Sequence, residues 1–159
     1  MFKKVFPWLV IIILIALLVG LFMMKDGMNI RLSKMMQVQA GSEISSSGEA
    51  FIDSAFNYSK NGQSFQLTFL EFGANCPACK RMEAVMSELR AKYPQKVNVV
   101  FLNILLPENQ NLMKYFGVVS IPAQVLLDKN GKEFFRHSGY YSSEDLIKEF
   151  DKYLTSNNL

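Results

Sequence analysis

The stretch Cys76-Pro77-Ala78-Cys79 constrains this chain more than any other. It holds the only two cysteines among 159 residues, with two residues between them. Just before it, Leu67-Thr68-Phe69-Leu70-Glu71-Phe72 predicts a strand; just after it, Lys80 to Tyr93 predicts a helix. At the start of a helix this spacing brings two sulfurs close enough for a small-ring disulfide or a dithiol. The unpaired N–H groups of the helix N-terminus favour a thiolate on the first cysteine. A strand, a tight loop and a Cys-x-x-Cys pair opening a helix form a redox-site arrangement. Cysteine this sparse excludes a disulfide-scaffolded module, so the pair is a working dithiol rather than a staple.

A second feature sets the surroundings of that dithiol. Trp8 to Met24 (WLVIIILIALLVGLFMM) carries no charge. At about 1.5 Å per residue it can just cross a hydrocarbon core, and Val5 to Pro7 can extend it. Trp8 stands where an interfacial aromatic stands. A cleaved signal peptide would have a shorter apolar region ending in a small-x-small site, whereas this run ends in Leu21-Phe22-Met23-Met24-Lys25. The expected organisation is a short cytoplasmic N-terminus over 1–6 with Lys3 and Lys4, and a transmembrane anchor over 7–24. A linker over 25–48 and a globular domain over 49–159 follow. The basic N-terminus keeps that end inside and places the domain outside the cytoplasm.

Net charge is only +3 and the cations are scattered, which argues against nucleic acid as a partner. Within the linker, Met28 to Gln39 predicts a short helix, and Gly41 to Gly48, rich in glycine and serine, predicts a flexible tether. Five of the nine methionines fall between Met23 and Met36. Ordinary apolar contact explains them better than a copper cluster.

The domain reads as helix, strand, helix, strand, helix, strand, strand, helix. Its predicted elements are a helix over Ser47–Tyr58, a strand over Gln66–Phe72, a helix over Cys76–Tyr93 closed by Pro94, and a strand over Val97–Leu102. A helix over Pro107–Phe116 follows, then strands over Ala123–Leu127 and Lys132–His137 around the Asp128–Gly131 turn. A last helix, capped by Ser142 or Ser143, runs to Leu154. This order implies an α/β fold with a mixed central sheet flanked by helices.

With these residues in place, Ser47 to Leu154 resembles the thioredoxin family. Three features carry the resemblance in the right order: Cys76-Pro77-Ala78-Cys79, then Ile121-Pro122, then Arg136-His137-Ser138-Gly139 before the final helix. The resemblance implies that Cys76 is the exposed nucleophile and Cys79 the buried resolving thiol. It implies a cis Ile121-Pro122 bond that shapes the groove for substrate backbone. Pro77 and Ala78 would tune the redox potential. The only cofactor implied is the redox-active disulfide itself, with no metal.

The departures are equally specific. Asn75 stands where thioredoxins usually have tryptophan, and Pro77-Ala78 replaces Gly-Pro. Thioredoxins carry a buried acid six residues before the first cysteine; here that residue is Leu70 and the nearest acid is Glu71. Alternation along the strand would turn Glu71 to the opposite face. A one-residue difference in the Gly73-Ala74-Asn75 loop would restore it as a proton relay for Cys79. The sequence leaves both placements open.

Anchored in this way, the chain resembles membrane-tethered thioredoxin-like reductases. The implied function is disulfide exchange with extracytoplasmic proteins, more as reductase than oxidant. The implied electron donor is a polytopic membrane protein. Two other readings stand beside it: a copper-handling chaperone using Cys76, Cys79 and a third ligand, and a non-catalytic thioredoxin-fold binding module. His137, the only histidine, reads as an edge-strand residue, and Lys80 after Cys79 rules out haem attachment.

Overall fold

The structure is a computed structural model that describes residues 2–156, without the side chains of residues 2–7, 23, 25 and 26. Met1 therefore lies outside the described residues, as do the side chains of the expected basic flank, Lys3, Lys4 and Lys25.

A four-stranded mixed sheet of order β2-β1-β3-β4 organises the domain. The strands are β1 (Leu67–Gly73), β2 (Val97–Asn103), β3 (Ala123–Asp128) and β4 (Glu133–Ser138). β1 pairs parallel with β2 and antiparallel with β3, and β3 pairs antiparallel with β4. The parallel pair needs a crossover, which the helix α4 (Pro77–Lys92) supplies. The hairpin between β3 and β4 turns on Asp128, whose side chain accepts from the backbone N–H groups of Asn130 and Lys132. All seven residues of β1 are buried, as its central position between two neighbours requires.

Alternation along β1 divides the core in two. Leu70 and Phe72 point to one face, where α2 (Gly41–Phe56) and α5 (Pro107–Tyr115) pack through Ile52, Phe56 and Leu112. Leu67 and Phe69 point to the other, where α4 and α6 (Ser143–Ser156) pack through Met82, Val85, Met86, Leu89, Leu146 and Phe150. Each such buried side chain contributes about 1.5–3 kcal/mol. A short helix, α3 (Tyr58–Asn61), joins α2 to β1. Its Tyr58 hydroxyl is hydrogen-bonded to Thr68 at 2.6 Å and accepts from Asn98.

The largest difference from expectation lies before the sheet. The glycine- and serine-rich stretch 41–48, expected as a flexible tether, is the first half of α2. Ser45, Ser46, Ser47 and Ser54 turn their hydroxyls back onto carbonyls three or four residues earlier. Gly48 is buried because the Tyr115 ring of α5 occupies its side-chain space: an added Cβ would meet Tyr115 Cδ2 at 2.4 Å. Packing thus overrides poor helix propensity.

Upstream, the helix α1 (Phe2–Gln39) is continuous in backbone terms through the expected anchor and most of the expected linker. It bends by 43° between Trp8–Phe22 and Gly27–Gln39. Among the described residues no single helix is long and apolar enough to cross a membrane, although this bent pair together has the length and composition. The second limb docks on the domain. Ser33 is buried, its hydroxyl donates to the Phe116 carbonyl and accepts from Arg136, and an added Cβ on Gly117 would meet Ser33 O at 2.2 Å.

Candidate active site

β1 delivers the chain to the site at Gly73, and α4 starts three residues later at its N-cap, Cys76. Cys76 has extended backbone (φ −103°, ψ 152°), and Pro77 fills the first helical position, where its missing N–H costs no hydrogen bond. The Cys76 Sγ accepts the backbone N–H of Cys79 at 3.0 Å. The helix N-terminus thus aims a donor at the sulfur whose negative form the chemistry needs. Cys76 and Cys79 are joined in a disulfide, with Cα atoms 5.0 Å apart.

The two sulfurs differ in access. Cys76 is half-buried beside the exposed Pro77 and the half-buried Ala78, whereas Cys79 is only 2% exposed. A partner thiol or disulfide therefore reaches the first sulfur and not the second. The two cations that follow do not crowd the pair: Lys80 and Arg81 are exposed, and the Arg81 guanidinium sits 4.7 Å over the Tyr140 ring.

The Ile121-Pro122 peptide bond is cis. Register places it: Ala123 pairs with Phe72, so Pro122 falls level with Gly73, at the end of β1 from which the cysteine loop springs. Pro122 is buried and its carbonyl accepts the Gly139 N–H at 2.7 Å. An apolar hollow lies next to it, lined by Met36, Ile104, Met113, Val118, Val119 and Ile121. A separate hollow of about 220 Å³ between α1 and β4 does not reach the cysteines.

Glu71 is fully buried, and alternation decides its direction. Leu67, Phe69, Glu71 and Gly73 share one face, which is the α4 face. An added Cβ on Gly73 would stand 3.6 Å from the Cys79 Cβ. Glu71, two residues inward, therefore lies beneath the helix that carries Cys79. Of the two placements that the sequence leaves open, this is the one on the Cys79 side: the stretch from the acid to Cys76 is one residue shorter than the six of the resemblance, and the acid moves one position with it. Burial pushes the Glu71 carboxyl up to about 8, and a hydrogen bond from Gln124 offsets part of the rise. That bond runs from Gln124 Nε2 to Glu71 Oε2 at 3.0 Å. The other oxygens, Glu71 Oε1 and Gln124 Oε1, have no partner among the described residues.

Gln124 escaped the reading of the sequence. Its signal is a single amide inside the apolar run Ala123–Leu127, in register with Glu71. His137 lies on β4 as expected, stacked on Tyr141 at 4.3 Å between ring centroids. Among the described residues, no group of three or more His, Cys, Asp or Glu is placed to hold a metal ion.

The family profile for a thioredoxin-like domain matches residues 52–154. The thioredoxin of Staphylococcus saprophyticus is 30% identical over 99 residues, covering 62% of this chain and 91% of that protein. Thioredoxin 2 of Plasmodium falciparum is 32% identical over 83 residues, covering 52% of this chain and 51% of that one. Among solved structures, a malarial thioredoxin-2 described as a component of the parasite's protein secretion machinery aligns with a TM-score of 0.52. It is 26% identical and covers 58% of this chain and 96% of its own.

Proposed function

The chain belongs to the thioredoxin-like family, and from that premise we propose that it is a membrane-tethered reductase of protein disulfides outside the cytoplasm. Its chemistry is thiol–disulfide exchange through Cys76 and Cys79. The observation that carries the reading is the unequal access of the two sulfurs, one at the surface on a helix N-terminus and one sealed beneath it.

In the reduced protein the Cys76 thiolate attacks one sulfur of a substrate disulfide. A bond forms between them, the substrate's own S–S bond breaks, and its other sulfur leaves as a thiolate. Cys79 passes its proton to Glu71 and attacks the Cys76 sulfur. The Cys76–Cys79 disulfide closes and the second substrate sulfur leaves. Two electrons have moved to the substrate. Its sulfurs take up two protons, one returned by Glu71 and one from solvent, matching those lost by Cys79 and Cys76. The tight cysteine loop and the cis Ile121-Pro122 turn at the same sheet end support a groove in which extended substrate backbone lies across the pair.

The charge-free run Trp8–Met24 and the outward-facing apolar side chains from Trp8 to Val19 support the tether. Such a row exposed to water is unfavourable, whereas lipid covers it. A tether also raises the local concentration of the dithiol near a membrane-embedded electron donor, taken to be a polytopic protein.

Trapping tests the assignment. Full-length Cys79→Ser in detergent accumulates mixed disulfides through Cys76 with a disulfide-containing protein such as insulin, and Cys76→Ser does not. Equal trapping by both variants overturns the division of roles. Direction is read from the reduction potential of the pair. A value well above about −270 mV, the thioredoxin level, refutes the reductase.

A further inference from the structure

We propose that Gln124 is a positioning residue for Glu71: its one amide serves the buried carboxyl in both protonation states, so that the acid can take up and return a proton without water. This rests on the reading above, in which Glu71 exchanges its proton with Cys79.

The geometry is that of a closed pair. Glu71 and Gln124 are directly opposite on β1 and β3, both at 0% exposure. The Gln124 amide nitrogen donates to Glu71 Oε2 at 3.0 Å, which suits a charged carboxylate. A protonated carboxyl needs the opposite, an acceptor for its new O–H. The acceptor at hand is Gln124 Oε1, which is buried and has no partner among the described residues, as is Glu71 Oε1. A carboxylic acid and a primary amide pair through two hydrogen bonds, N–H to one oxygen and O–H to the other. A protonated Glu71 therefore satisfies both orphaned oxygens through a small rotation of either side chain. No lysine could do this, because it has no acceptor, and no leucine offers either function. In a site without solvent, a buried acid lacking such a partner would leave a polar group unmet in one of its two states, at the full desolvation cost.

The surrounding elements leave Gln124 as the dominant polar neighbour. From α4 the titratable group on this face is Cys79, which is silent while disulfide-bonded; Arg81 is turned out over Tyr140. β2 presents Val99 and Phe101, in register with Phe69 and Glu71. α6 presents Leu146 and Phe150. From β4 comes His137, in register with Gln124 and stacked on Tyr141. The proton affinity of Glu71 is shifted by burial and by Gln124, with no ionic neighbour contributing.

The test follows the Glu71 carboxyl itself. Full-length protein with its disulfide intact and ¹³C-labelled glutamate carboxyls is titrated by NMR in detergent, Glu71 being assigned by its loss in Glu71→Gln. Gln124→Met removes the amide and keeps the side-chain length. In this variant the acid form loses two ordinary hydrogen bonds and the charged form loses one of about twice the strength, so the Glu71 midpoint is expected to move by well under one pH unit. A rise of about one to two pH units overturns the proposal, because Gln124 would then serve the carboxylate alone. The unsubstituted protein gives a second reading that needs no variant: the Gln124 side-chain amide signals should change at the Glu71 midpoint. Amide signals that stay constant through that midpoint also overturn it. Turnover is measured separately. A pH profile of insulin reduction that is unchanged in Glu71→Gln counts against the proton relay and not against the pair.

Discussion

Replacing Glu71 by glutamine tests the buried acid through stability alone. Burial raises the carboxyl from an ordinary 4.5 to about 8, with Gln124 pulling it part of the way back. Below the lower value the folded and unfolded chains both hold the proton, and the group adds nothing to the pH dependence. Between the two values the folded chain holds the proton and the unfolded chain does not, so raising the pH favours unfolding. Above the folded value the loss is complete. At about 1.4 kcal/mol per pH unit, the gap amounts to about 5 kcal/mol between acid and alkaline limits, and roughly 3 kcal/mol at neutrality. In Glu71→Gln this slope disappears, because the introduced amide does not ionise and can pair with Gln124 through both of its functions. The assay is urea unfolding followed by circular dichroism at about pH 5 and about pH 9, with the disulfide intact so that neither cysteine titrates. About 4 kcal/mol of that gap falls between pH 5 and pH 9, so with a typical urea dependence of about 2 kcal/mol per molar the parent midpoint should fall by roughly 2 M relative to the variant. Curves for the two proteins that run parallel across that range refute the reasoning, because Glu71 would then ionise in the fold as easily as in water.

Two further substitutions probe the elements that frame the site. Gly48→Ala gains about 1 kcal/mol of helix propensity but drives a methyl into the Tyr115 ring, an overpacking cost of about 1–3 kcal/mol; the net is a lowered melting temperature. A raised melting temperature would mean that Tyr115 yields freely and that Gly48 is not a packing residue. Gly117→Ala meets a left-handed backbone (φ +60°) as well as Ser33, so about 1–2 kcal/mol of backbone cost adds to a clash that lifts the second limb of α1. Hydrogen exchange over residues 27–39 should accelerate, and unchanged protection there would show that the limb is held by other contacts.

The sheet and its helices were legible because their signals are local and repeated. Asp128–Gly131 marked the hairpin, Pro94 and Gly117 marked helix ends, and β1 fell within one residue of its expected bounds. The cysteine motif was legible for the same reason, as was the cis bond through Ile121-Pro122 and the resemblance it completed. What failed to show were features decided across the sheet. The direction of Glu71 depended on the length of the loop to Cys76, which alternation within the strand cannot supply. Gln124 matters only because β3 lies against β1 in a register that no stretch of sequence states. The helix over 41–48 was hidden because glycine and serine signal flexibility when alone. Here Gly48 makes room for Tyr115, 67 residues further along the chain in α5, and the serines fold back on their own helix.

The sheet order leaves β2 and β4 as its two borders, and each is guarded in part. On β2 the Arg90 guanidinium of α4 holds the Val99 carbonyl at 3.1 Å, occupying an acceptor that an incoming strand would use. Along β4 the second limb of α1 lies opposite Glu133–Arg136, with Ile30, Ser33, Lys34 and Gln37 lining the space between. A bare strand border is a template for joining one copy to the next. The guarded borders thus act as a safeguard against polymerisation, so that many copies can stand side by side without their sheets fusing.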